Sequence, residues 1–192
     1  MQTVFALVLL SFELTAAFGF HGVTSSVSRA NANSRFKLSM GLSPVVGGSV
    51  VALVTPMNAD RSIDYAKLVE ILEWHKSEGT DGAVILGTTG EASMISTEER
   101  AEVIRTAVKT VNKKFPVIIG TGTIETQKVI AMNKQALELG ADAALVITPY
   151  YIKPPPRALV KHFLTIADAC PLPIVLYNCP GRTGATLHAQ LP

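Results

Sequence analysis

The sequence predicts an α/β fold of repeated strand and helix units around a parallel sheet. Three observations carry that expectation. Wholly apolar short runs recur at the interval of one strand plus one helix, amphipathic stretches with recognisable caps fill the intervals, and hydroxyl-bearing residues gather where the apolar runs end.

The first forty residues stand apart. "VFALVLL", Val4 to Leu10, is too short to span a bilayer, and "TAAF" after it offers small residues for signal-peptidase cleavage between Ala17 and Phe18. From Phe18 onward the chain is rich in Ser, Ala and Asn and has no acid before Asp60, the composition of a plastid or mitochondrial transit peptide. A signal-like segment followed by a transit-like one resembles the bipartite presequences of algae whose plastids lie inside extra membranes. The expected location is therefore the plastid (chloroplast), with an ordinary secretory signal and linker as the alternative. Residues 1–40 are read as a targeting segment and residues 41–192 as the folded domain, with no membrane contact in the mature form.

Five runs follow: "SVVALV", "GAVILG", "PVIIGTG", "AALVIT" and "PIVLYN". Their starts, near residues 49, 82, 116, 143 and 173, lie 33, 34, 27 and 30 residues apart. Each is apolar throughout rather than alternating, so each predicts a parallel strand buried on both faces.

Four helices are expected between them. Ser62 to Glu78 places Leu68, Leu72 and Trp74 among charged residues and stops at Gly79. Ser96 with Glu99 forms a capping box ahead of "TEERAEVIRTAVKTVNK". The third helix runs from about Glu125 to Leu139 before Gly140, and the fourth from about Arg157 to Ala169 before Pro171. Such a series fits either a doubly wound sheet or part of an eight-unit barrel.

Composition excludes several functions. With 48% apolar and 17% charged residues the chain is globular. Setting aside Arg29, Arg35, Lys37 and Glu13 leaves 14 basic and 14 acidic side chains, no electrostatic case for nucleic acid or an anionic membrane. Cys170 and Cys179 lie far from any CxxC spacing, and the four histidines show no ligand pattern, so neither a disulfide framework nor a metal site is expected. "GTTGEASM" lacks the GK[ST] ending of a P-loop, and "GTGTIE" has Glu125 where GxGxxG needs its third glycine. No nucleotide or other cofactor is expected.

The strand ends read Thr55-Pro56, "GTTGE" (Gly87 to Glu91), "GTGT" (Gly120 to Thr123), "TPYY" (Thr148 to Tyr151) and "YNCPGRTG". In both candidate architectures these ends form one rim, where active groups collect. Each group alone has a plainer reading: threonines cap helices, Tyr177 packs in the core, Arg182 is a solvated loop charge and Cys179 a small filler. Together they suit a small carboxylated carbonyl compound. A turn such as Thr88-Thr89-Gly90 can hold a carboxylate with its amides and hydroxyls, a guanidinium can hold another, and tyrosine and threonine hydroxyls can pass a proton.

"GSVVALVTPM", "LGTTGEAS", "PVIIGTGT", "TPYYIKP" and "YNCPGRTG", in this order and spacing, closely resemble the dihydrodipicolinate synthase (4-hydroxy-tetrahydrodipicolinate synthase) family from about Gly48 to Pro192. The resemblance implies a (β/α)8 TIM barrel, here truncated after about the fifth strand, in a class I, lysine-dependent aldolase that is usually oligomeric, a dimer or tetramer. Its substrates are pyruvate and aspartate semialdehyde, condensed on the way to diaminopimelate and lysine. Carried over by position, Thr88, Tyr151 and Tyr177 are the catalytic proton relay, with Tyr151 supplied across a dimer interface. Thr89 with the adjoining Gly90 amide binds the pyruvate carboxylate, and Arg182 receives the semialdehyde carboxylate. N-acetylneuraminate lyase and keto-sugar-acid aldolases of the same superfamily are the alternatives; the arginine of "RTG" and the double tyrosine of "TPYY" favour the synthase.

The resemblance also marks two departures. The family's Schiff-base lysine stands nearly thirty residues beyond the Tyr177 position, whereas fifteen residues follow Tyr177 here. Lys153 and Lys161 lie after the fourth run and are not promoted in its place. The expectation is thus an inactive N-terminal part of an enzyme, with an open edge on the fifth strand and a tendency to aggregate; a non-catalytic fragment that pairs with full-length subunits is the alternative. Where lysine-inhibited members carry histidines, an asparagine and a glutamate, this chain has Thr97, Arg100, Ile124 and Lys128. Only Tyr150 remains of that pocket, so feedback by lysine is expected to be eroded.

Overall fold

A computed structural model describes residues 46–187 and the strand backbone at Phe5–Leu9. The elements run β1 (Phe5–Leu9), β2 (Val50–Ala52), α1 (Tyr65–Ser77), β3 (Gly82–Ile85), α2 (Thr97–Val111), β4 (Val117–Gly120), α3 (Thr126–Glu138), β5 (Ala143–Ile147), α4 (Pro156–Ala169), β6 (Ile174–Asn178) and α5 (Pro180–Thr183). A 3-10 turn, Ala92–Met94, precedes α2.

The five apolar runs are β2 to β6, and every strand pair is parallel. The sheet order is β1-β6-β5-β4-β3-β2, so β2 to β6 lie side by side in chain order. A doubly wound sheet reverses its order at a switch point, whereas a barrel adds each strand beside the last. The order therefore decides between the two architectures: this is part of a barrel wall.

Side chains alternate between the two faces of that wall. On the helix side, Ala83, Ile85, Val117, Ile119, Ala144, Val146, Ile174 and Leu176 bury against Leu68, Leu72, Ile104, Val129 and Ile166 of the helices. On the barrel-interior side, Ile118, Ala143 and Val175 form a separate small cluster with the half-buried Val50, Val84 and Leu145. The sequence expectation of burial on both faces holds fully for the helix side only. The interior face is partly open because, among the described residues, only this small cluster packs across it.

Helix ends follow local chemistry. Helix α1 begins at Tyr65 rather than at Ser62 and is capped by Asp64, whose Oδ1 accepts from the Lys67 amide at 2.8 Å. At α2 the capping box is reciprocal: the Glu99 amide donates to Ser96 Oγ at 3.3 Å and the Ser96 amide to Glu99 Oε2 at 2.9 Å. Past α3, Gly140 takes φ +91° and Ala141 donates back to the Ala136 carbonyl at 3.0 Å, a Schellman ending that needs glycine at the left-handed position.

Two elements depart from the expected five strands and four helices. The segment read as a targeting run supplies β1, whose residues Phe5 to Leu9 pair in register with Ile174 to Asn178. The edge of β6, expected to be open, is therefore paired. An unpaired row of backbone donors and acceptors takes up an apolar extended segment wherever one can reach it. The second addition, α5, is one turn inside the stretch read as a rim loop, opened by Pro180 and closed by Gly184 at φ +66°. Among the described residues no helix is long and apolar enough to cross a membrane.

Candidate active site

The first wall of the site is the turn after β3. Leu86 leaves the strand at φ +57° while 1% exposed, a left-handed conformation that costs a residue with a Cβ on the order of 1–3 kcal/mol. It starts two overlapping turns: Gly90 N–H donates to the Gly87 carbonyl and Glu91 N–H to the Thr88 carbonyl, each at 3.1 Å. Thr55 Oγ1, at the end of β2, then donates to the Gly90 carbonyl at 2.8 Å and ties the turn to the neighbouring strand. Thr88 and Thr89 are left exposed at the tip.

The opposite wall is the end of β6. Asn178, 5% exposed, donates from Nδ2 to the Leu187 carbonyl at 3.2 Å and accepts from the Leu187 amide at Oδ1, 3.0 Å. Thr183 Oγ1 lies 2.9 Å from the Ala185 carbonyl and 3.1 Å from that of Cys179, so its single proton closes α5 on either partner. These bonds hold the connection so that Arg182 projects from an exposed turn. The methylenes of Lys153 lie against Gly184, where a Cβ would meet Lys153 Cε at 2.6 Å, which seats the "TPYYIK" loop on this wall.

Between the walls lies a cavity of about 660 Å³. Thr88, Tyr177 and Arg182 line it together, although β3 and β6 are three strands apart in the sheet. Burial pushes the Tyr177 phenol above its ordinary pKa, and the neighbouring Cys179 thiol adds to the rise. The Thr88 hydroxyl and the Arg182 charge act the other way, because each favours the phenolate. Tyr177 is thus a protonated phenol at neutral pH with a hydroxyl and a guanidinium beside it. That arrangement can give up and recover a proton next to a bound carboxylate.

The remaining expected site residues lie outside the cavity lining. Thr89 points to solvent, and Gly90 is buried with its amide already donated within the turn. Tyr151 is 88% exposed at φ +67°. Its neighbour Tyr150 lines the cavity instead, with its hydroxyl 3.5 Å from Thr123 Oγ1. Lys153 and Lys161 are exposed and do not line the cavity. Among the described residues no group of three or more His, Cys, Asp or Glu side chains is placed to hold a metal ion.

Sequence reasoning undervalued two residues. Cys179, read as filler, sits against the Tyr177 phenol and helps to set its proton affinity. Arg100 is 9% exposed and donates from Nη2 to the Gly120 carbonyl at 2.7 Å. The signal was available: Arg100 shares a helical stripe with Ile104, Ala107 and Val111, all of which are buried.

Comparison with known proteins agrees with the fold. The model of the dihydrodipicolinate synthetase family matches residues 45–191. The 4-hydroxy-tetrahydrodipicolinate synthase of Coxiella burnetii (strain RSA 493 / Nine Mile phase I) is 55% identical over 140 residues, 73% of this chain and 48% of that protein. A crystal structure of the chloride-inhibited dihydrodipicolinate synthase from Acinetobacter baumannii complexed with pyruvate is 49% identical, with a TM-score of 0.72 over 73% of this chain and 48% of that one. The synthase from Cyanidioschyzon merolae, solved with lysine bound, is 36% identical, with a TM-score of 0.74 over 76% of this chain and 50% of that one. The chain spans about half the length of the relatives it matches.

Proposed function

The chain belongs to the dihydrodipicolinate synthetase family, and from that premise we propose that its cavity contributes to a site condensing pyruvate with L-aspartate 4-semialdehyde to 4-hydroxy-tetrahydrodipicolinate. The observation that carries this reading is the convergence of Thr88, Tyr177 and Arg182 on one cavity that has no acidic lining residue among the described residues. Both substrates are carboxylates, and a carboxylate entering such a site meets cations and hydroxyls without a competing anion.

In this reading Arg182 takes the semialdehyde carboxylate at the exposed mouth. Thr88 and Tyr177 pass the proton released or required as the carbon–carbon bond forms and the product closes. Thr89 holds the pyruvate carboxylate from the tip of the turn, with Gly90 shaping that turn so that the strand ends can close around it. Pyruvate becomes a nucleophile only as an enamine on an amine; Lys153 and Lys161, both outside the cavity, are not assigned that role.

Tyr151 joins the relay of a second copy of the chain. Its support is exposure beside other exposed apolar groups, Tyr150, Ile152, Met94 and Ile124, on the same rim. The protein is further placed in the plastid, on the signal-like and acid-free composition of residues 1–40. Cleavage after Ala17 would remove β1 and expose the edge of β6 that it pairs with.

The test is a chimera in which residues 46–187 replace the matching part of the Coxiella burnetii synthase. It is expected to turn over pyruvate with aspartate semialdehyde and not to cleave N-acetylneuraminate. Cleavage of the sugar acid without condensation would reassign the site to another aldolase. The 192-residue chain alone, reduced with borohydride in the presence of pyruvate, is expected to carry no adduct on any lysine.

A further inference from the structure

The turn that carries Thr88 is strained at both ends. Leu86 enters it at φ +57° and Glu91 leaves it at φ +52°, both left-handed and neither a glycine. Residues with a Cβ stay in that region only where their surroundings hold them there. The bonds inside the turn, from the Gly90 and Glu91 amides to the Gly87 and Thr88 carbonyls, close it on itself and do not fix where its exposed tip, Thr88 and Thr89, points.

What holds it lies outside the turn. Among the described residues one side-chain hydrogen bond reaches residues 86–91, that from Thr55 Oγ1 to the Gly90 carbonyl. Both residues are buried, so a carbonyl released from Thr55 would lack water to replace it. Thr55 is itself fixed on either side: Leu53 N–H donates to the Val84 carbonyl at 3.0 Å, and the Pro56 carbonyl accepts from Asp64 N–H at 2.9 Å. The two surfaces meet closely, since a Cβ on Gly90 would lie 3.1 Å from both the Leu53 carbonyl and Thr55 Oγ1.

A bond that only satisfied a buried carbonyl would add stability and leave the site as it is. Gly90, however, donates to Gly87 through its amide and accepts from Thr55 through its carbonyl, so it is pinned on both sides. Thr88, whose own carbonyl accepts from Glu91, moves with it. Thr88 lines the cavity together with Tyr177, whereas Thr55 does not line it and can act through the turn alone.

We propose that Thr55 is a positioning residue of the site: its hydroxyl, on the Gly90 carbonyl, holds the strained turn in the arrangement that sets Thr88 beside Tyr177. Its part in catalysis rests on the condensation reading. Its hold on Thr88 does not, and is measured without turnover.

The first measurement uses the 192-residue chain, in which the Tyr177 phenolate is titrated by ultraviolet absorbance with Tyr177→Phe for subtraction. Thr55→Val, which keeps the shape and loses the hydroxyl, is expected to move the midpoint upward, the direction that loss of the Thr88 hydroxyl takes. Thr55→Ala, free of any strain that valine adds, is expected to move it the same way, and Thr55→Ser to restore it. Thr55→Val combined with Thr88→Val is expected to titrate where Thr88→Val alone does, because both changes break one link. In the chimera, Thr55→Val is expected to lower kcat/KM for pyruvate about tenfold and Thr55→Ser to recover it to within about threefold. His162→Gln, a buried change away from the cavity, is expected to stay within about twofold. An unmoved phenol in both Thr55→Val and Thr55→Ala, an additive double variant, a serine variant that behaves like valine, or unchanged kcat/KM in an active Thr55→Val chimera would each overturn the proposal. A parent chimera without condensation, beside titration shifts as expected, would sink the condensation reading and leave the hold of Thr55 on Thr88 standing.

Discussion

The hydroxyl of Thr88, one turn past β3, pulls down the proton affinity of the Tyr177 phenol on β6, three strands away across the sheet. Burial and Cys179 push the same phenol up, and burial is the largest effect. The threonine hydroxyl thus lies near enough to the phenol to favour its ionised form.

This balance gives a signed prediction. Tyr177 stays protonated beyond the ordinary phenol range, so any stability it contributes is present below about pH 10 and lost as pH rises through its folded value. Thr88→Val removes an effect that favours the phenolate and raises the Tyr177 value further; Cys179→Ala lowers it. Ultraviolet titration of the phenolate, with Tyr177→Phe as the subtraction control, reads both shifts. Shifts in the opposite directions would contradict the placement of these three side chains.

Gly120 tests the close approach of β4 to the turn after β3. A Cβ there would run into the backbone carbonyl of Leu86, whose own left-handed conformation leaves it little room to move. Gly120→Ala is expected to cost about 3 kcal/mol, near the top of the overpacking range. Gly181→Ala, where a Cβ meets nothing within 4 Å, is expected to change stability by less than about 0.5 kcal/mol. Urea midpoints of the two variants make the comparison.

His162 sets a pH limit at the joint of α3 and α4. It is 7% exposed, its Nδ1 lies 2.9 Å from Thr126 Oγ1 and its Nε2 is buried without a partner among the described residues. Burial depresses its pKa. A depressed histidine favours folding above its ordinary value, about pH 6.5, and that contribution is lost as pH falls through the window below it. The urea midpoint should therefore drop on acidification, and His162→Gln should flatten this slope. An unchanged slope in the variant would assign the acid sensitivity elsewhere.

Much of this architecture was legible in the sequence, for identifiable reasons. Runs such as "PVIIGTG" and "AALVIT" are buried on the helix side and end in glycine or threonine, so both period and punctuation mark them as β4 and β5. Ser96 and Glu99 announce α2 because a capping box is local chemistry. The pairing of β1 with β6 was not legible, since it depends on contacts between the two ends of the chain and on no local pattern. Nor was α5: "CPGRTG" reads as a turn, and only Thr183 and Gly184 folding back on Cys179 and Pro180 make it helical. At the site, the sequence brought Thr88, Tyr177 and Arg182 to one rim, whereas the burial of Arg100 was legible only through its place on one helical stripe with Ile104, Ala107 and Val111.

The most direct test of the account is the turnover number of the chimera carrying Tyr177→Phe. The claim is that this phenol, set between Thr88 and Arg182, moves a proton in the condensation. Removing its hydroxyl should lower kcat by about 10²-fold or more, the usual range for a positioned acid–base group, with the fold intact by circular dichroism. A Tyr177→Phe chimera that condenses pyruvate and aspartate semialdehyde within about twofold of its parent would contradict it.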